Sequence, residues 1–205
     1  MIGALEGSGV AHLGAAQRVA AVAAGELVWI GRRDLIGVAN FIRGDLDALL
    51  QPFDDDTWIM LVLERAQVLR LAARAAEAQA LIKQTEDRLR ARLEGPSNRD
   101  VEAVAAAWFA QTGDLEKARA HLGRALLAPP DDDIQNRFAT DWAISMAERL
   151  LGDPQAAWMQ IEPYASESSL LGRGELLALK KYYDQIYGES PGYRAYMAKI
   201  AGMQP

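Results

Sequence analysis

The sequence predicts an all-α protein of about eight to ten helices stacked as antiparallel pairs, and three observations predict it. Half of the 205 residues are hydrophobic, 24% are charged and only 7% aromatic, with alanine in almost every segment. That mixture fills a core and favours helices. No stretch alternates β-branched and polar residues between hairpin turns, so no strand is needed. Finally, Leu49-Leu50-Gln51-Pro52-Phe53-Asp54-Asp55-Asp56 returns as Leu126-Leu127-Ala128-Pro129-Pro130-Asp131-Asp132-Asp133, an offset of 77 residues that matches two successive helical hairpins.

Taken in order, the chain begins with an apolar but interrupted segment. Between Glu6 and Arg18 lie eleven uncharged residues, and between Arg18 and Glu26 seven, whereas a spanning helix needs about 20. Glu6 and Gly7-Ser8-Gly9 also break any secretory signal, so a cytoplasmic location without an integral membrane segment is expected. Residues 1–54 read as an N-terminal helical segment whose packing the sequence does not determine, in which Asp34 is expected to cap a helix running to about Leu50 ahead of Pro52. Residues 55–205 form the repeat region, continuous with it. Asp56 is expected to cap a helix starting at Thr57. Residues 57–94 hold neither glycine nor proline and read either as one long helix or as a hairpin turned near Ala73. Its later part carries Lys83, Glu86, Asp87, Arg88, Arg90, Arg92 and Glu94, the mixed signs of a solvated, ion-paired face. Gly95-Pro96 ends that stretch, and Ser97 with Asp100 makes a variant capping box. Gly113-Asp114 divides the next two helices. Asp153-Pro154 and Ser190-Pro191 each set an N-cap before a proline at the first helical position. Turns near Gly31, Ala73, Gly113, Gly152 and Gly188 are then 42, 40, 39 and 36 residues apart.

Trp108-Phe109-Ala110-Gln111-Thr112-Gly113-Asp114-Leu115-Glu116-Lys117-Ala118, followed by Leu122, Ala125-Leu126 and Pro130, resembles a tetratricopeptide repeat. Ala106, Gly113, Ala118, Leu122, Ala125 and Pro130 stand where that family places its small residues, turn and terminating proline. A second unit has Trp142, Gly152-Asp153, Ala157 and Ile161, with Tyr164 where the family prefers a small residue; Ser169 to Ile200 resembles a more divergent hairpin. The resemblance implies a right-handed α-solenoid of stacked antiparallel helix pairs. It also implies that Trp142, Met146, Arg149, Tyr182 and Gln185 face a concave surface, where they would bind a partner peptide or protein. The alternative for Trp142 and Met146 is inter-repeat core. The Lys and Asn clamp with which some members hold acidic chaperone tails is missing, Asp100, Ala103 and Ala107 occupying the corresponding face.

Little in the sequence carries chemistry. There is no cysteine, which removes disulfides, thiolate metal sites and a Cys nucleophile. His12 and His121 are the only histidines and form no metal-ligand spacing. Gly7-x-Gly9 lacks the third glycine of a dinucleotide loop and follows no strand. Asp54-Asp55-Asp56 and Asp131-Asp132-Asp133 lack the one-turn spacing that holds magnesium, and they precede helices whose N-termini favour negative charge. A net charge of −6 disfavours broad nucleic-acid binding. Five of six tyrosines fall within the last 24 residues, a cluster suited to capping the stack or to a partner contact. The expected function is therefore a non-enzymatic adaptor or assembly factor without metal or cofactor. A self-assembling structural component is the alternative. A helical DNA-binding regulator, for which Arg32-Arg33 is the slender argument, comes third.

Overall fold

The computed structural model describes residues 55–71, 73–130, 137–166, 176–177 and 180–202. The expected turn at Gly31, the helix from Asp34 and the triplet Asp131–Asp133 lie outside these residues. Nine helices are present among the described residues, and no strand. They are α1 (Asp55–Leu71), α2 (Ala75–Gln84), α3 (Glu86–Glu94), α4 (Arg99–Thr112), α5 (Leu115–Leu127), α6 (Phe138–Leu150), α7 (Pro154–Ser166), α8 (Lys180–Tyr187) and α9 (Pro191–Gly202). None of them is long and apolar enough to cross a membrane.

Three successive hairpins close with the same backbone geometry. The turn residues Ala73, Gly113 and Gly152 are left-handed, with φ of 60°, 90° and 93°. At each, two hydrogen bonds satisfy the last carbonyls of the preceding helix. Ala73 N donates to Arg70 O and Arg74 N to Leu69 O; Gly113 N to Ala110 O and Asp114 N to Phe109 O; Gly152 N to Arg149 O and Asp153 N to Glu148 O. This is the Schellman pattern. It divides residues 57–94 at Ala73 and excludes one continuous helix there. Asp114 and Asp153 then cap the returning helices by accepting from Lys117 N (3.2 Å) and Ala156 N (2.8 Å). Arg74, in the same place, makes no side-chain cap and instead grips Glu77.

Five residues beyond each turn stands a fully buried alanine: Ala78, Ala118 and Ala157. Its small side chain lets the two helices of a pair approach closely. Seven residues further come Thr85, Ala125 and Tyr164, again fully buried. At Thr85 the returning helix breaks into α2 and α3, which the sequence reading did not anticipate. The Thr85 hydroxyl donates to Ile82 O (2.6 Å) and accepts from Trp108 Nε1 (2.9 Å), so it bonds back to its own helix and outward to α4.

The first helices of the three pairs, α1, α4 and α6, pack side by side, while α2, α5 and α7 pack against them. Positions ten and six residues before each turn form rows across this layer: Leu63, Ala103, Trp142, and Gln67, Ala107, Met146. All six are buried. Neither of two expected caps is in its expected place. The helix after Gly95-Pro96 is capped by Asn98, whose Oδ1 accepts from Val101 N at 2.9 Å, and Ser97 donates to Glu102 instead. Asp56 lies inside α1 and pairs bidentately with Arg92 of α3 (2.8 and 2.6 Å) beside an Asp55–Arg88 contact. Two members of the first acidic triplet thus stand at a helix N-terminus and fasten α3 to it. Arg90 pairs with Glu86 and Asp87, as the mixed-charge face requires.

The fourth pair, α8–α9, departs from the others, since its turn has no left-handed residue and runs through Gly188 N to Asp184 O and Ser190 N to Tyr187 O. Ser190 caps α9 by accepting from Tyr193 N (3.1 Å), and Gln155 of α7 adds a second cap by accepting from Gly192 N (2.9 Å). Trp158 lies fully buried among Tyr187, Tyr193 and Tyr196, with ring centroids 5.2–5.6 Å away. A Cβ on Gly192 would come within 2.9 Å of Gln155 Nε2 and 3.0 Å of Trp158 Cδ1, so a larger residue would push the Gln155 cap and the Trp158 ring aside.

The recurrent turns make a paired prediction. Ala73→Gly relieves a left-handed alanine and should raise stability, whereas Gly113→Ala and Gly152→Ala should each cost about 1 kcal/mol. Nothing lies within 4 Å of a Cβ at Gly113 or Gly152, so the cost is one of backbone conformation. Urea midpoints of the three variants check the signs.

Candidate functional site

The layer of first helices carries an unusual amount of buried polarity. Glu64, Arg65, Gln67, Glu102, Gln111, Thr140, Asp141, Ser145 and Glu148 are all buried. Such groups need partners, and most find them on a neighbouring helix.

Asp141 is the densest of these junctions. Arg99 of α4 donates to its Oδ1 at 2.7 Å, Tyr164 of α7 donates to Oδ2 at 2.6 Å, and Arg137 lies 3.4 Å away. Burial, and then the bond to Asp141, hold the Tyr164 hydroxyl well above the usual phenol range, so it remains a donor. Glu102 is the second junction. It accepts from Ser97 (2.6 Å) and Arg124 (2.8 Å) and lies 2.7 Å from His121 Nδ1. Burial alone would raise its pKa, but these bonds hold the carboxyl below its ordinary value. His121 also stacks on Phe109 at 5.1 Å, which makes it a packing residue.

The third network joins α1, α4 and α6 near their C-terminal ends. Gln111 Nε2 donates to Leu63 O (2.8 Å) on α1 and to Met146 Sδ (2.9 Å) on α6. Arg70 Nη2 donates to the Gln111 carbonyl at 2.7 Å, and Arg149 Nη2 donates to Gln67 Oε1. Ser145 and Tyr187 share a hydrogen bond of 2.8 Å that brings α8 into the same region. Burial lowers the pKa of Arg149, opposed by the nearby Tyr187 and Tyr182; burial and then the Arg149 charge lower that of Arg70.

The five residues expected to contact a partner divide accordingly. Trp142, Met146 and Tyr182 are buried, at 7%, 4% and 1% exposure. Arg149 is intermediate and Gln185 exposed. Trp142 and Met146 therefore occupy the interior of the first-helix layer, and the accessible part of the set is Arg149 and Gln185. Sequence reasoning missed Arg70, Gln67 and Gln111. The signal was the repeat itself, because Arg70 and Arg149 hold the same place, three residues before a turn.

Glu148 is the titratable outlier. Burial pushes its carboxyl up to about 7 from 4.5, with Asp153 and Asp141 adding to the rise and a bond from Gln160 (3.3 Å) opposing it. Its Oε2 accepts no hydrogen bond among the described residues.

Two predictions follow from these carboxylates. Asp141→Ala should cost about 3 kcal/mol, because Arg99 and Arg137 lose a buried counter-charge; urea denaturation reads the loss. For Glu148 the folded-state pKa exceeds the unfolded one, so this group's own contribution to stability is complete below about pH 4.5 and is lost as pH rises through about 7. Glu148→Gln should therefore raise the melting temperature at pH 8 and leave it nearly unchanged at pH 4.5, as thermal melts across that range would show. No protein family, no curated protein and no solved structure matches this chain, so the functional reading rests on its own residues.

Proposed function

We propose that the chain is an adaptor or assembly factor that binds another protein, built as a right-handed, tetratricopeptide-like α-solenoid. The observation that carries this reading is the threefold recurrence of one hairpin: turns at Ala73, Gly113 and Gly152, and buried alanines at 78, 118 and 157. Stacked helix pairs commonly serve recognition along an extended face; here the first helices are buried over residues 58–69, 101–107 and 140–148, so the positions offered to a partner are the accessible Arg149 and Gln185. In this reading Trp142, Met146 and Tyr182 act from beneath, holding Arg149 and Gln185 where a partner meets them.

A second reading, self-assembly, is favoured by apolar side chains on the outer helices. Leu126, Leu127 and Met159 are 49%, 87% and 58% exposed. Paired between two copies they would bury apolar area on both.

The test is purification of the tagged full chain from its native cell, followed by reconstitution of each candidate partner with the purified chain. A partner that co-elutes at fixed ratio, and whose binding weakens about tenfold in Gln185→Ala combined with Arg149→Gln at unchanged helix content, supports the adaptor. Recovery of the chain alone as a defined oligomer, dissociated by Leu127→Ser, supports self-assembly instead.

A further inference from the structure

The first helix of the stack carries the face that its successors turn towards a preceding pair. Counting back twelve, eight and five residues from the left-handed turns gives Val101, Ala105 and Trp108 on α4, and Thr140, Ile144 and Ala147 on α6. Spacings of four and three keep each trio on one side of its helix. On both helices that side looks back along the chain. Trp108 Nε1 donates to Thr85 of the pair before it, and the Thr140 hydroxyl donates to Asp100 of the pair before it. On α1 the same count gives Leu61, Arg65 and Val68, which are 2%, 3% and 1% exposed. Yet no helix precedes α1 among the described residues, and the helices packed most closely on it, α2, α3, α4 and α6, all follow it.

Residues 1–54 are the one long stretch outside the described residues, and they run straight into Asp55 at the start of α1. The recurrence of the leucine pair, proline and aspartates points to a particular part of them. Leu126-Leu127 are the last residues of α5, which leads into α6 and packs on it. Leu49-Leu50 therefore end a stretch that stands ahead of α1 as α5 stands ahead of α6. Within it Leu35, Val38, Ile42, Leu46 and Leu49 recur at spacings of three and four, which on a helix make a single apolar stripe. Arg43 and Asp47 fall on the far side of that helix, while Asp45 borders the stripe. A buried guanidinium such as that of Arg65 is stable only where a carboxylate or other acceptors meet it, and Asp45 brings a carboxylate to this edge.

We propose that the occupant of this face is residues 34–50 of the same chain, as a helix whose apolar stripe lies on Leu61 and Val68 and whose Asp45 meets Arg65. Tethering favours this segment over a separate molecule. Residues 51–54 alone join it to α1, so its effective concentration at the face exceeds that of any free competitor. The inference stands apart from the choice between adaptor and self-assembly. It takes the α1 end of the stack out of the surface offered to a partner or to a second copy, and it makes residues 34–50 the second helix of a further pair.

The chain has no cysteine, so single introduced thiols report on cover. In the full chain, Val68→Cys and, as reference, Ala147→Cys from the same row on α6 are each treated with a chromogenic disulfide reagent, and both should react slowly. Adding Ile42→Asp with Leu46→Asp should speed the reaction of Val68→Cys about tenfold or more and leave that of Ala147→Cys unchanged, since only the first loses its cover. Continued protection of Val68→Cys in that background would overturn the proposal. Where the aspartates unfold the whole chain, which equal acceleration of both thiols would reveal, a photo-crosslinking residue at Ile42 of the otherwise unaltered chain decides. Mass spectrometry should then locate an intramolecular crosslink to α1. A crosslink to another part of the chain, to a second copy or to a co-purifying protein, or no crosslink at all, would overturn the proposal.

Discussion

Because Ala103, Ala105, Ala106, Ala107 and Ala110 add a single carbon each to the backbone of α4, helices α1 and α6 close on it from both sides until they touch one another. That approach is the constraint from which the other contacts descend. It brings Gln67 within reach of Arg149, and it lets Gln111 span from Leu63 to Met146. A larger residue at Ala107 or Ala110 would hold α1 and α6 apart, and side chains on the two helices would face solvent or one another across a gap. The same logic operates in the second layer at Ala78, Ala118 and Ala157, where smallness sets the distance within each pair.

Buried polar groups give this alanine-rich packing its specificity. Alanine surfaces slide past one another with little loss, since one small side chain resembles the next. Asp141, Glu102 and Gln111 remove that freedom, because a shift of one residue along any of these helices would leave a buried donor or acceptor without its partner. The registers of α4 against α6, of α6 against α7 and of α1 against α4 are each pinned by at least one such bond. Hydrophobic burial supplies the drive to pack, and the polar bonds select one arrangement.

Local features of this fold were legible in the sequence because their causes are local. The turns at Gly113, Gly152 and Gly188, the caps at Asp153 and Ser190, and the ion-paired face of α3 depend on residues within a few positions, whereas the sequence left residues 57–94 open between a turn at Ala73 and one long helix. The break at Thr85 was not legible, since its hydroxyl is held by Trp108, 23 residues away. The junction at Asp141 depends on Arg99, and the placing of Arg149 on Gln67, separated from it by 82 positions. The exposure of Trp142, Met146 and Tyr182 was equally out of reach. A helix buried on one face and one buried on both carry similar patterns when alanine fills so many places, and only the neighbouring helices decide between them.

The placement of the connections has a consequence for how such a chain tolerates change in length. The turns at Ala73, Gly113 and Gly152 are left-handed single residues locked by two backbone bonds, and they gather along one rim of the layers. A longer link, through residues 95–98, returns along the opposite rim. An added loop, a fused domain or an affinity tag inserted at the first rim would have to unpick helix ends on both sides of it. At the second rim it would lengthen a link that already runs outside the helices, so growth of this architecture by insertion has only one side on which to occur.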